Sequence, residues 1–152
     1  MQQYIAILAT WFGCGKAQKA PGTFGTLGAI PLVYAFSLAG PINYLMLTFI
    51  FTIGAIFVAH FQEAATGVHD SKQVVIDEVV GFLVTMVWTP FRWPYILIGF
   101  VLFRFFDILK PYPISYIDKK VGGGIGCVGD DLLAGILSNI ILQVILQQGW
   151  VN

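Results

Sequence analysis

Apolar residues fall into five runs along this chain, and short polar segments separate them. The runs cover residues 24–39, 44–61, 79–91, 94–106 and 132–146. Runs of this length are typical of helices that are apolar on all sides. Gly40-Pro41 lies between the first two runs, and Pro90 and Pro94 flank the turn between the third and the fourth. The pattern predicts an all-α fold with about five apolar helices.

The third and fourth runs are shorter than the others. A helix that crosses a bilayer needs about 20 residues. The third run would span only if its helix began at about residue 74, and the fourth only if its helix continued to about residue 109. That extension would place Asp77, Glu78 and Asp107 on helices at the boundary between lipid and water. A short re-entrant hairpin is the competing interpretation for this pair.

The composition supports a membrane protein. Hydrophobic residues make up 57% of the 152 residues and charged residues 11%, and the mean hydropathy is +0.80. A soluble domain of this size could not bury so much apolar surface. We therefore predict a single domain, residues 1–152, folded as a polytopic membrane helical bundle in contact with the lipid bilayer. Residues 1–19 are expected to form an interfacial segment.

The net charge limits the kinds of binding partner, and the positions of the basic residues indicate how the chain is oriented in the membrane. The formal net charge is zero, which argues against a nucleic-acid partner. Six lysines would lie on the cytoplasmic side and Arg92 alone outside if the amino terminus is cytoplasmic, in accord with the positive-inside rule. These lysines are Lys16, Lys19, Lys72, Lys110, Lys119 and Lys120.

Six of the eight acidic residues stand where an apolar run begins or ends. Carboxylates are costly to hold at such a boundary unless they bind a cation. Hard oxygen ligands without soft ones favour Mg²⁺ over zinc. The predicted metal ligands are Glu63, Asp77, Glu78, Asp107, Asp130 and Asp131. His69 and Asp70 lie in a polar loop within reach of such a site, with no role assigned.

Three further segments carry candidate chemistry, each with a structural alternative. Arg104, Asp107 and Lys110 are three residues apart, so they share a helical face that suits phosphate and metal, or a salt-bridge ladder. The glycine-rich segment 122–126 precedes Asp130 and Asp131, which are either ligands or the N-cap and first turn of a helix. Segment 20–26 offers the hydroxyls of two threonines, or a simple turn with a threonine cap.

These blocks together resemble the phosphatidylglycerophosphatase A family. The resemblance covers residues 13–135 and depends on segments 20–26, 76–81, 104–113 and 123–135. It implies a helical, magnesium-dependent lipid phosphatase of the bacterial inner membrane, which converts phosphatidylglycerophosphate to phosphatidylglycerol. Five acids match motif carboxylates of the family, namely Asp77, Glu78, Asp107, Asp130 and Asp131. Lys110, Thr23 and Thr26 match its polar motif positions.

Roles within the site are our own assignment. We expect Asp77, Glu78, Asp107, Lys110 and Asp131 to be catalytic. Asp77 or Glu78 would act as the general base, although an aspartyl-phosphate route stays open. We expect the substrate phosphate to be bound by Thr23, Thr26, Arg104 and Lys110.

Two other functions need to be weighed against hydrolysis. A small cation or proton transporter also places carboxylates at helix ends, but it would more often bury acids near mid-membrane and show repeat symmetry. A phosphotransferase of the CDP-alcohol type would carry an Asp-Gly-x-x-Ala-Arg segment, which this sequence lacks.

Overall fold

The computed structural model describes residues 2–68 and 71–149, and this part of the chain is helical with no strand. His69 and Asp70 lie outside the described residues. Eight α-helices are present in the described part, and a 3₁₀ turn over Cys14–Lys16 follows the first of them. The helices are α1 (Gln2–Ala9), α2 (Pro21–Gly28), α3 (Ile30–Ser37), α4 (Pro41–Thr66), α5 (Ile76–Thr85), α6 (Trp93–Leu109), α7 (Ile114–Lys120) and α8 (Gly123–Gln148).

The first apolar run forms two helices instead of one. Pro31 lies at the start of α3 and has no N–H to continue the ladder of α2, so the chain breaks after Gly28. The carbonyl of Gly28 accepts a hydrogen bond of 2.8 Å from the indole N–H of Trp11. That side chain stabilises the end of α2 and holds the amino-terminal segment against it.

The other runs form helices, but their ends agree with the prediction only in part. The helix of the third run ends at Thr85, before the end of the run at residue 91. The helix of the third run begins at Ile76 and that of the fourth ends at Leu109, so Asp77, Glu78 and Asp107 are helical residues. Lys110 adopts the left-handed conformation at the end of α6, with φ of 43°, directly before Pro111.

Helix α5 is short and lies in the centre of the bundle. Its ten residues span ~15 Å, and eight of them are buried. Its most extensive packing is against α8. Gly81 and Gly135 allow this close approach, because a Cβ on Gly135 would lie 3.1 Å from Cβ of Val84.

The carboxyl end of α5 terminates inside the protein, where its free carbonyls need donors. The side-chain amide of Asn139 on α8 donates to the carbonyls of Thr85 and Val87, each at 2.8 Å. Gln143, one turn further along α8, also donates to Val87 O at 3.0 Å. These bonds explain how a ten-residue helix ends within the bundle.

Helix α8 begins earlier than the sequence indicated. It starts at Gly123, so the glycine-rich segment forms its first turns and is not a loop before it. Asp130 is therefore not an N-cap, and the alternative that placed Asp131 in a first turn is wrong. A Cβ on Gly124 would lie 2.8 Å from the amide nitrogen of His60, so these glycines instead permit close packing of α8 on α4.

Two helices of the described part are long and apolar enough to cross a bilayer, α4 and α8, with 26 residues each. At 1.5 Å per residue each extends ~39 Å. Helix α6 has 17 residues and carries Arg92 at its start and Asp107 near its end. The charged residues of α6 thus stand at its two ends, with an apolar stretch between them.

Candidate metal and phosphate site

A polar cavity of about 640 Å³ lies where the start of α5, the end of α6 and the first turns of α8 meet. It is lined by five carboxylates and three basic side chains, together with small and apolar residues. The charged residues are Lys72, Asp77, Glu78, Arg104, Asp107, Lys110, Asp130 and Asp131. Five of the six predicted metal ligands are thus brought to one cavity from three separate segments.

Three of these acids converge closely. One carboxylate oxygen from each of Asp77, Glu78 and Asp131 lies within 4.8 Å of the other two. Asp77 and Asp131 are buried, at 6% and 4% exposure. Gly81, one turn after Asp77, makes room for Asp131, because a Cβ there would lie 2.8 Å from the carbonyl oxygen of Asp131.

The carboxylate of Asp77 is held in a defined orientation. Its Oδ1 accepts a hydrogen bond of 3.0 Å from the backbone N–H of Glu78. Its Oδ2 accepts one of 3.1 Å from the thiol of Cys127. Cys127 is one turn before Asp131 on α8, so the same helix supplies both an acid and a donor that orients another acid.

Arg104 connects α6 with the acids of α5. Its guanidinium pairs with Asp107, one turn along the same helix, and Nη1 lies 3.9 Å from Oε1 of Glu78. Gly22, at the start of α2, lies against both partners, since a Cβ on it would be 2.8 Å from Nη1 of Arg104 and would overlap Oε1 of Glu78. A larger residue at this position would displace the ends of both charged side chains.

Lys110 forms a second charged link, between the end of α6 and α8. Its ammonium group donates to Asp130 at 2.6 Å and also pairs with Asp118 on α7. Burial lowers the pKa of Lys110, but the hydrogen bonds to Asp118 and Asp130 outweigh that effect and hold the pKa above its ordinary value. Lys110 therefore stays protonated and joins three helices.

The donor set fits a hard divalent cation. Glu78 Oε2 and Asp130 Oδ1 are buried and have no hydrogen-bond partner among the described residues. Buried carboxylate oxygens are normally satisfied, and a bound cation is one partner that can satisfy such an oxygen. The lining charges sum to −2 if all are ionised, which would repel a phosphate unless cations bind first. All close ligands are oxygens, as Mg²⁺ prefers.

Three predicted site residues do not line this cavity. Glu63, near the end of α4, is not among the lining residues, and its role as a ligand stays a prediction. Thr26 is buried and its hydroxyl donates to the carbonyl of Gly22 at 2.8 Å. Thr23 lies half-buried on the same helix. Of segment 20–26, the residues that line the cavity are Ala20, Pro21 and Gly22.

Three residues at or beside the cavity were not predicted from the sequence as part of the site. Ser71 and Lys72 line the cavity from the segment before α5, and Asp118 pairs with Lys110. Asp118 had the pattern of a solvated surface acid beside two lysines. In the sequence, Lys72 indicates only the orientation of the chain in the membrane, although its position five residues before Asp77 was a usable signal.

Comparison with known proteins assigns the chain to a family. The model of the family described as phosphatidylglycerophosphatase A matches residues 7–146. The chain belongs to that family. The resemblance predicted from the four sequence blocks is thereby confirmed, and so is the prediction of an enzyme of the phosphoric monoester hydrolase class.

Individual relatives agree with this assignment. A protein of Haemophilus influenzae named phosphatidylglycerophosphatase A is 41% identical over 143 residues, which is 93% of this chain and 88% of that protein. One of the same name from Escherichia coli is 36% identical over 140 residues, 91% of this chain and 81% of that protein.

A relative from Bacteroides thetaiotaomicron carries a different name. It is 36% identical over 146 residues, 91% of each chain, and is provisionally named a phosphatidylinositol-3-phosphatase. No solved structure shows significant similarity to this chain.

Proposed function

We propose that this chain hydrolyses the terminal phosphomonoester of phosphatidylglycerophosphate to give phosphatidylglycerol, in a magnesium-dependent reaction. The observation that carries the proposal is the convergence of Asp77, Glu78 and Asp131 within 4.8 Å, in a member of a family named for that activity. Relatives that bear the name cover nearly the whole chain.

The metal would be held by the carboxylates of the cavity. Asp77, Glu78 and Asp131 are the closest set, and Asp130 offers a further buried oxygen without a partner. Bound there, Mg²⁺ would supply positive charge to the phosphoryl oxygens and neutralise the excess negative charge of the cavity. Because Asp77 already accepts two hydrogen bonds, it is oriented to act as a ligand.

Glu78 is our choice for the general base. Its carboxylate lies beside Asp77 and Asp131, so one of its oxygens can bind the ion while the other accepts a proton from an attacking water. The phosphorus–glycerol oxygen bond breaks, the water oxygen bonds to phosphorus, and the leaving oxygen takes up a proton. A carboxylate that attacked phosphorus directly would instead leave an aspartyl phosphate, which acid quenching and mass spectrometry would detect.

Arg104 and Lys110 contribute in different ways. Arg104 lies beside Glu78 at the wall of the cavity, where its guanidinium can bind phosphoryl oxygens. Lys110 is engaged by two carboxylates, so its main effect is to hold Asp130 in place. Phosphomonoester hydrolysis requires a barrier reduction of ~20 kcal/mol or more, and preorganised charge of this kind is the usual source.

The outer faces of the helices support a membrane placement. Helices α4 and α8 are long enough to span, and α4 exposes large apolar side chains along its length. We place the enzyme in the inner membrane of a bacterium with the cavity on the cytoplasmic side. Lys72 and Lys110 lie at the cavity, and Arg92 is at the far end of α6. The lipid headgroup would then reach the acids without leaving the interface.

A phosphate-release assay tests the proposal. The purified chain, in detergent micelles with phosphatidylglycerophosphate, should release inorganic phosphate with Mg²⁺ present and not after EDTA treatment. Phosphatidylinositol 3-phosphate in a parallel reaction would determine whether the headgroup named for the Bacteroides relative is accepted. Absence of phosphate release, together with cation flux in proteoliposomes, would contradict hydrolysis and favour the transporter alternative.

A further inference from the structure

A shallow apolar groove on α6 opens beside the charged cavity. It has a volume of about 360 Å³. All its lining residues are on α6 at helical spacing, so they form one stripe along its outer face. They are Phe100, Val101, Arg104, Phe105, Ile108 and Leu109. Apart from Arg104, every one is apolar.

The groove and the charged cavity are adjacent. Arg104 and Ile108 line both spaces, so a molecule lying across them would contact apolar side chains on one side and carboxylates on the other. From Leu109 to Phe100 the groove runs ~13 Å along the helix, back toward the end that carries Arg92. It therefore extends from the polar end of α6 along the outer, exposed face of that helix.

The groove and the charged cavity offer surfaces for the two parts of a phospholipid. The groove is apolar apart from Arg104, and Arg104 also lines the cavity that holds the acids. A diacyl lipid carries an apolar acyl chain and a terminal phosphate, which would contact these two surfaces. Val101 and Phe105 are 64% and 55% exposed, so the surface is open to a ligand.

We propose that this groove binds an acyl chain of the lipid substrate and so aligns its terminal phosphate with the acids. The proposal rests on the lipid phosphatase function above and adds the place where the hydrophobic part of the substrate binds. Other apolar surface, such as that of α4, would contact bulk lipid without any such selectivity, because it does not join the charged cavity.

The test fills the groove with a bulky side chain. Val101→Trp places an indole in the groove, and Ile50→Trp on α4 is the matched control, because Ile50 is 65% exposed and lies on a different surface. The substrates are dipalmitoyl and dibutanoyl phosphatidylglycerophosphate in the same detergent, since the dibutanoyl chains are too short to reach the Phe100 end. The readout is the ratio of kcat/KM for the long-chain to that for the short-chain substrate.

We expect Val101→Trp to lower this ratio about tenfold, or ~1.4 kcal/mol of lost acyl-chain binding, and Ile50→Trp to leave it within about twofold. An unchanged ratio in Val101→Trp, or the same loss in both variants, would contradict the proposal that the groove binds an acyl chain. A changed oligomeric state of Val101→Trp in native mass spectrometry, with the ratio unchanged, would overturn it in favour of a second copy of the chain as occupant. If the wild type releases phosphate from neither substrate, the proposed function itself fails.

Discussion

The ammonium group of Lys110 lies 2.6 Å from Oδ2 of Asp130, and this contact joins the end of α6 to α8 at the rim of the charged cavity. Asp118 on α7 shares the same ammonium group. The side chain of Lys110 is 27% exposed and that of Asp130 is 8% exposed. Replacement of Lys110 would therefore leave two carboxylates without their positively charged partner, and one of these carboxylates is buried.

Replacement of Lys110 should therefore affect both stability and activity. We expect Lys110→Met to destabilise the protein by ~2 kcal/mol, because the partly buried acids lose their charged partner. Asp118→Asn should cost less, since Lys110 keeps Asp130. Thermal unfolding in detergent measures both variants, and the double variant gives the coupling energy. Additive effects of the two changes would contradict the shared contact.

The acid cluster predicts which carboxylates are essential. Asp77→Asn and Asp131→Asn should reduce phosphate release by about a thousandfold, a loss on the scale of a key electrostatic group, while the helical signal and membrane insertion persist. Glu63→Gln tests the remaining predicted ligand, which does not line the cavity: a loss of activity would support its role, and retained activity would remove it from the ligand set. Phosphate release and circular dichroism check all three. Full activity in the two Asp variants would remove them from the site.

Metal binding should stabilise the folded protein. A ligand that binds only the native state at a hundred times its dissociation constant adds ~2.7 kcal/mol. Adding Mg²⁺ to metal-free protein should thus raise the Tm of the wild type and have little effect on Asp131→Asn. This measurement does not depend on catalysis. Equal Tm increases in both proteins would indicate that the ion binds elsewhere.

The position of Gly22 predicts that a larger side chain at the cavity wall lowers activity. A methyl group there would displace Glu78 and Arg104, so Gly22→Ala should lower kcat/KM at least about tenfold. Gly54 on α4 is a suitable control, because a Cβ there meets nothing within 4 Å. Gly54→Ala should leave activity intact and stabilise the helix by ~0.5–1 kcal/mol. Equal activity in the two variants would show that Glu78 and Arg104 tolerate displacement.

The hydrogen bond from Cys127 to Asp77 predicts that serine and alanine at position 127 differ in their effect on metal binding. Cys127→Ser keeps a donor within reach of Asp77 Oδ2, whereas Cys127→Ala removes it. We expect Cys127→Ala to raise the KM for Mg²⁺ by about fivefold, as loss of groups that orient metal ligands often does, and the serine variant to remain near wild type. Activity measured over a range of Mg²⁺ concentrations checks this. An identical response would mean that the thiol only fills space.

The helical class and the residues that carry the chemistry could be predicted from the amino-acid sequence. Apolar runs interrupted by Gly40-Pro41 and by Lys110-Pro111 specify where helices end, since these local signals act within a few residues. Asp77, Glu78, Asp107, Asp130 and Asp131 were identifiable because acids are rare in such apolar sequence and occur at the ends of runs.

Only the tertiary structure decided which of these acids meet. Asp77 and Asp131 are 54 residues apart, and their meeting depends on Gly81 and Gly135, which allow α5 and α8 to pack closely. Close packing is a property of two surfaces together, so no local pattern predicts it. The same reason explains why Asp118 was missed and why Thr26, with its hydroxyl bound to its own helix, looked like a binding residue.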